Sequence, residues 1–258
     1  MLNDRVVLVT GSSSGIGLAT ARAAKREGAR VFVHGPSAEA VRPVAESLGG
    51  VAWAAIDLAS PDAGDRLVEA VLAAHGRIDA VVNNAAIFPR YDIAATDAAV
   101  FDHVLAVNAR APLLIARRAV AAFRAQKSGG AIVNIGSVNA YSGQPDLLPY
   151  AMSKGALMTM TRNLADALGP EGIRVNQLNP GWVLTQTEIE TQRRQGRPDD
   201  WHQQVPPLWA PSGSIFSPEM VAEHVIFWLS DRSAPVTGQV YEVEQFPVIG
   251  RMVMSRVI

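Results

Sequence analysis

Val6-Val7-Leu8-Val9-Thr10-Gly11-Ser12-Ser13-Ser14-Gly15-Ile16-Gly17 is the stretch that decides the architecture. A run of β-branched residues with no polar interruption reads as a strand buried on both faces. It ends at Thr10 and passes straight into a turn with glycines at 11, 15 and 17, and an Ala-rich helical stretch follows. Glycine allows a tight turn and a close approach of the backbone to a bound group. The start of a helix presents unpaired N–H groups and a partial positive charge, which suits a phosphate or pyrophosphate. The spacing is not the G-x-G-x-x-G of general dinucleotide-binding turns, and Gly with Ser also makes ordinary strand-to-helix turns. Both readings stand at this point.

Outward from this junction the same alternation repeats. Apolar, β-branched runs predict strands at 6–10, 30–34, 51–56, 78–83, 131–135, 173–179 and 239–243. Ala-rich periodic segments predict helices at 15–27, 37–48, 61–75, 97–126, 149–168 and 218–230. Strands apolar on both faces, separated by helices, imply an α/β fold with a doubly wound (Rossmann-like) parallel sheet covered on both sides. No repeat or low-complexity tract divides the chain, so a single domain over 1–258 is expected. Within it, 181–217 is an irregular insertion with Pro198, Pro206, Pro207 and Pro211 and three of the five tryptophans, Trp182, Trp201 and Trp209. A loop of that length in a compact fold usually carries function or short helices of its own.

Composition narrows the partners. Of the 258 residues 48% are hydrophobic and 18% charged, which argues against disorder. Lys plus Arg number 23 and Asp plus Glu 24, a net charge of −1, so no basic excess exists to neutralise a nucleic-acid backbone. There is no cysteine, which excludes disulfides, thiolate metal sites and a cysteine nucleophile and is compatible with a reducing cytoplasm. The apolar start at 6–9 is far shorter than a signal-peptide core, and no apolar run is long enough to predict a membrane span. His34, His75, His103, His202 and His224 show no metal-ligand spacing, so no metal site is expected.

Two further places carry chemistry. The second strand ends His34-Gly35-Pro36-Ser37, with no acid at its tip to read a ribose hydroxyl. Glu39 reads as a solvated helix-start acid, and Arg42 is the only nearby cation. The absence of a repelling acid leans the expected cofactor toward NADP over NAD. Farther on, Ser137 follows the fifth strand, and Tyr150 and Lys154 stand one helical turn apart behind Pro149. A phenol must fall about three units, roughly 4 kcal/mol, to exchange protons near neutrality. One cation at ~5 Å in an effective dielectric of ~20 supplies about 3 kcal/mol. An isolated Tyr-x-x-x-Lys is more often a surface pair, so the inference rests on the combination with Ser137 and the glycine turn.

That combination carries a resemblance. Thr10-Gly-Ser-Ser-Ser-Gly-Ile-Gly17, Asp57-Leu58, Asn83-Asn-Ala-Ala86, Asn108, Ser137, Tyr150-x-x-x-Lys154 and Pro180-Gly181, in that order, resemble the short-chain dehydrogenase/reductase family in its shorter, single-domain branch. The likeness runs from about Arg5 to Val243. It implies an NAD(P)-dependent oxidoreductase that interconverts a secondary alcohol and a ketone. Tyr150 would be the general acid/base and Ser137 would orient the substrate oxygen. Lys154 would lower the tyrosine pKa and bind the nicotinamide ribose, and Asn108 would support a water-linked proton relay. Gly11, Ser13, Ser14, Gly15, Ile16, Gly17, Gly35, Asp57, Leu58, Asn84, Ala85, Pro180, Gly181, Val183 and Thr185 would join Tyr150 and Lys154 in holding the cofactor. Asp57 could instead cap the next helix, Asn84 stabilise a strand end, and Thr185 be a loop hydroxyl. Ala86 stands where the family usually has glycine, Ser214 where an arginine is common, and 244–250 replaces a glycine-rich end.

Phe88, Asn139, Tyr141, Gln144, Trp182, Leu184, Trp201 and Trp209 are candidate substrate walls, with 181–217 as a lid, although Trp201 and Trp209 could simply pin the loop. The substrate is expected to be a small carbonyl or alcohol. A 3-oxoacyl-carrier-protein reductase is the alternative enzyme, with Arg193, Arg194 and Arg197 facing an acidic carrier; a non-catalytic cofactor-sensing protein is the alternative of another class. The resemblance also implies a homotetramer built on the helices at 97–126 and 149–168. The apolar tail, Met252, Val253, Met254, Val257 and Ile258, is expected to pack on its own fold or a neighbour.

Overall fold

The computed structural model describes residues 1–142 and 144–248, the side chain of Ser142 excepted; the expected packing of the apolar tail lies outside them. One seven-stranded sheet runs β3-β2-β1-β4-β5-β6-β7, every neighbouring pair parallel. The strands are β1 (Val6–Val9), β2 (Arg30–Gly35), β3 (Trp53–Ala55), β4 (Ala80–Asn83), β5 (Gly130–Ile135), β6 (Ile173–Pro180) and β7 (Val240–Val243). All seven expected strands are present, with ends shifted by one or two residues. The order reverses between β1 and β4, so the crevice beyond their carboxyl ends is where such a sheet holds a ligand.

The strands are apolar on both faces because helices cover both. One core layer unites Val7, Val9, Val31, Val33, Val82 and Val133 with α1 (Gly15–Arg26), α2 (Ala38–Ser47) and α9 (Pro218–Leu229). The other unites Val6, Leu8, Phe32, Val81 and Ile132 with α3 (Ala63–His75), α5 (Ala111–Gln126) and α7 (Leu148–Leu168). A short α6 (Asn139–Ser142) precedes α7. The sequence predicted one helix over 97–126; instead α4 (Ala98–Leu105) and α5 are joined by a π-helical turn, Ala106–Arg110. Asn108 is the cause. Its side chain turns inward, accepting from Ile87 N at 2.9 Å and donating to Ile87 O at 2.7 Å and Ser153 Oγ at 3.0 Å. By length and hydropathy alone Ala98–Gln126 could cross a membrane, but its buried residues belong to the sheet core and its outer Arg117 pairs with Asp65 of α3.

The 181–217 insertion is ordered by a small core of its own. It contains α8 (Gln186–Arg194) and a 3-10 turn, Trp201–Gln203. Trp201, Val205, Ala210 and Ile215 are buried together, with Trp182 and Leu184 packed on them.

Candidate active site

The glycine turn is held from three sides. Thr10 Oγ1 accepts from the backbone N–H groups of Asn84 and Ala85, both at 3.0 Å, and Asn84 Nδ2 donates to Thr10 O and Gly11 O at 2.9 and 3.1 Å. Buried His34 accepts from Gly11 N through Nδ1 at 3.2 Å, and its Nε2 lies 2.9 Å from Ile56 O. Burial holds its imidazole below the usual histidine range, in keeping with a neutral ring in that position. Gly11 and Gly15 have φ of +61° and +54°, a region L side chains rarely adopt. The first turn of α1 has no acidic residue and Ser14 contributes no side-chain cap, so its N–H groups are left for a ligand.

A cavity of about 1360 Å³ runs from this turn past Asp57 and Leu58 to Ser137, Tyr150 and Lys154, and on beneath the 181–217 segment. That exceeds the ~300–1,000 Å³ of one ordinary ligand site, so a dinucleotide and a second small molecule both have room. Gly11, Ser13, Ser14, Gly15, Ile16, Asp57, Leu58, Asn84, Ala85, Pro180, Gly181, Val183 and Thr185 all line it. Turn geometry, free helix-end donors and cavity size together fit a dinucleotide.

Three expected site residues do not line the cavity. A Cβ on Gly17 would sit 2.3 Å from Gly11 O and 2.4 Å from Asn84 Nδ2, and one on Gly35 would press on Val41 and Ser13. Both glycines therefore shape the turn by close packing. Asn108 has its amide hydrogens and oxygen committed to Ile87 and Ser153, so its side chain braces the loop after β4. Asp57 does not cap the next helix, which begins at Ala63; it accepts from Ala59 N at 2.9 Å in a local turn. Thr185 caps α8, accepting from Glu188 N at 3.1 Å. Of the expected substrate walls, Tyr141 and Leu184 do not line the cavity, whereas Phe88, Asn139, Gln144, Trp182, Trp201 and Trp209 do. Among the described residues no three His, Asp or Glu side chains cluster as metal ligands.

Ser137, Tyr150 and Lys154 meet as the helical spacing requires. Lys154 Nζ lies 5.5 Å from the centroid of the Tyr150 ring and donates to Ile135 O at 2.7 Å. Burial works against the fall in phenol pKa that proton exchange near neutrality asks for. Burial pushes the Tyr150 pKa up, with the Ser137 hydroxyl pulling it back, and burial brings the Lys154 ammonium down to about 8. Desolvation disfavours the charged form of both groups and outweighs their spacing.

This has a measurable consequence for stability. Lys154 binds its proton less tightly in the folded chain than in the unfolded one. Its contribution is therefore full above the ordinary 10.5 and is lost as pH falls through about 8. The raised Tyr150 pKa acts in the opposite sense only above about pH 10, leaving a clean window between. Between about pH 7.5 and 9.5 the parent should gain about 2 kcal/mol over Lys154→Met in urea unfolding. Parallel pH profiles for the two proteins would contradict the buried, charged lysine.

Ser137 is itself placed by a line of buried amides that the sequence reading missed. Its N–H donates to Asn179 Oδ1 at 3.2 Å, which fixes that amide's orientation because an oxygen must face the donor. Gln177 Nε2 then donates to the same oxygen at 2.7 Å, Thr161 Oγ1 lies 3.0 Å from Gln177 Oε1, and Asn134 Nδ2 donates to Thr161 at 2.8 Å. Asn83 Nδ2 closes the line on Asn134 Oδ1 at 2.9 Å. The signal for it is a set of polar residues, Asn134, Gln177 and Asn179, inside strands that are otherwise apolar, since a buried amide requires partners.

The fold, the glycine turn and the Ser137–Tyr150–Lys154 cluster define a nicotinamide-dependent oxidoreductase of the doubly wound class. The chain belongs to the short-chain dehydrogenase/reductase family, whose model described as enoyl-(acyl carrier protein) reductase matches residues 11–245. It is 32% identical over 246 residues to the L-rhamnose 1-dehydrogenase (NAD(P)(+)) of Azotobacter vinelandii, covering 92% of this chain and 94% of that one. It is 35% identical over 248 residues to the 2-(S)-hydroxypropyl-CoM dehydrogenase 3 of Xanthobacter autotrophicus, covering 94% and 96%. Among solved structures, the L-sorbose reductase of Gluconobacter frateurii complexed with NADPH and L-sorbose superposes with a TM-score of 0.88 at 32% identity, covering 94% and 96%.

Proposed function

We propose that the protein interconverts a secondary alcohol and a ketone, with Tyr150 exchanging the proton at the substrate oxygen. The observation that carries this is the opening of Ser137, Tyr150 and Lys154 onto the same cavity as the glycine turn. The bound NAD(P) supplies or accepts the hydride. Ser137 orients the substrate oxygen toward the phenol and lowers the phenol's pKa through its hydroxyl. Lys154, fixed on Ile135 O, holds positive charge beside the ring and stabilises the phenolate as the proton leaves. When the cofactor is bound, Asp57 and Leu58 would hold its adenine end, Asn84 its ribose, and Val183 and Thr185 its carboxamide, all of them lining the cavity. The 181–217 segment, seated over the cavity on its own apolar cluster, acts as the lid that excludes water.

The tip of β2 supports NADP over NAD. No acid lines the cavity there, and Arg42 lies over the Trp53 ring at 5.6 Å, available at the sheet edge but not inserted. The carrier-protein alternative needs a free basic patch. Arg193 instead pairs with Asp199 at 2.7 Å, and Arg194 Nε donates to Glu190 O at 3.3 Å. Exposed Leu113 on α5 and Met152 on α7 support a homo-oligomer, which light scattering reads directly.

The test is a panel of small ketones with NADPH and NADH, followed by cofactor absorbance. Turnover with NADPH at least as efficient as with NADH is expected. No turnover with any ketone, together with no dinucleotide binding, would remove the proposal.

A further inference from the structure

The far wall of the cavity, beneath the lid, contains a cation whose use the chemistry above does not explain. Arg197 follows α8, its backbone N–H held by Gln192 O at 3.1 Å, and it lines the cavity that holds Tyr150. Its guanidinium carbon lies 5.7 Å from the Trp182 ring centroid and 5.6 Å from that of Trp201, two rings stacked at 5.0 Å and 23°. An arginine held beside aromatic rings by cation–π attraction spends none of its N–H donors on them, and those donors match a planar oxyanion.

The other cations of the cavity are committed. Arg90 pairs with Asp146 at 2.5 Å, and Lys154 Nζ donates to Ile135 O. Among the described residues Arg197 makes no ion pair, although Arg193, four residues earlier, is held by Asp199. Glu188, the acid on the same wall, is occupied by two neutral donors on Oε1: Trp182 Nε1 at 2.8 Å and Gln192 Nε2 at 2.6 Å. That network fixes the Trp182 indole beside Arg197, and among the described residues no carboxylate lies within ion-pair distance of the guanidinium.

We propose that Arg197 binds an oxyanion on the substrate, a carboxylate or a phosphate set apart from the reacting carbon, so that the substrates are acidic oxo or hydroxy compounds rather than neutral ketones. This rests on the oxidoreductase reading and specifies its substrate class. The arginine is specificity-determining: it contributes to binding and leaves proton exchange at Tyr150 unchanged.

The experiment compares oxo acids, their phosphate-bearing counterparts and their neutral methyl esters on the parent, Arg197→Met and Arg197→Lys. The methionine keeps an apolar stem on the tryptophans, and the lysine keeps charge without the fork. For the parent, acids or phosphates should be used about 10- to 100-fold more efficiently than esters, the size of one or two charge-assisted hydrogen bonds. Carboxylate and phosphate arms tell the two oxyanions apart. Arg197→Met should raise KM for the anionic substrates by that factor with kcat little changed, leave the esters alone, and abolish the rise of KM with salt; Arg197→Lys should fall between. Titration by tryptophan fluorescence, with Trp182 and Trp201 at the site, reads binding without turnover. Anion-selective quenching that Arg197→Met removes, with no turnover of any ketone, would sink the oxidoreductase reading and leave Arg197 as an anion site without the assigned substrate class. Equal use of acids and esters by the parent, or equal loss of both in Arg197→Met, would overturn it and assign Arg197 to pinning the Trp pair.

Discussion

Tyr150→Phe is expected to lower turnover by about 10²- to 10⁴-fold, the range over which a positioned proton donor acts. The substitution removes one oxygen and little else. The ring keeps its edge contact with Phe88, at 6.1 Å and 67° between planes, and Lys154 Nζ keeps a ring beneath it. What disappears is the only phenol lining the cavity among the described residues. Dinucleotide affinity should stay within about threefold, because the glycine turn, Asp57 and Asn84 lie outside the change. A variant that turns over like the parent would show that another group moves the proton. A variant that loses turnover and cofactor affinity together would show that Tyr150 is structural.

The second large effect concerns Gly17, where two physical arguments oppose each other. Gly17 lies within α1, and alanine in a helix is favoured over glycine by roughly 1 kcal/mol. Its added carbon would, however, approach Gly11 O to 2.3 Å and Asn84 Nδ2 to 2.4 Å. Neither can withdraw: the carbonyl belongs to the turn backbone, and the amide is the brace that joins that turn to β4. Overpacking of this kind costs about 1–3 kcal/mol and outweighs propensity. Gly17→Ala should therefore lower Tm by several degrees and weaken dinucleotide binding by about tenfold or more, since 1.4 kcal/mol is tenfold. Gly155→Ala is the control. Gly155 is also helical, with its nearest potential neighbour Ala140 O at 3.9 Å, so there the propensity gain should appear as unchanged or higher Tm. If both variants behave alike, the close approach at Gly17 does not define the turn.

The parts of this molecule that repeat a simple period were legible from residues alone. Val6–Val9 is apolar throughout and demands cover on both faces, and the helices supply it. The glycine turn was legible as a candidate phosphate site because it joins the end of β1 to the start of a helix, although spacing alone left an ordinary turn open. Four things were not. The π-helical turn at Ala106–Arg110 follows from Asn108 finding partners on Ile87 and Ser153, contacts that exist only once the fold is made. Gly17 and Gly35 have packing roles that their spacing cannot distinguish from ligand contact. The direction of the Tyr150 and Lys154 shifts depends on how much water reaches them, which a spacing of four residues does not specify. His34, read as an ordinary histidine, became the tie between the glycine turn and β3 through partners distant in sequence.

The buried amides that hold Ser137 and the tryptophan cluster of the 181–217 segment share no hydrogen bond among the described residues. Evolution can consequently rewrite what the enzyme accepts without resetting how it reacts. A graft that exchanges 181–217 for the corresponding stretch of a relative should change the menu of molecules while the serine that orients the substrate oxygen stays registered to the sheet.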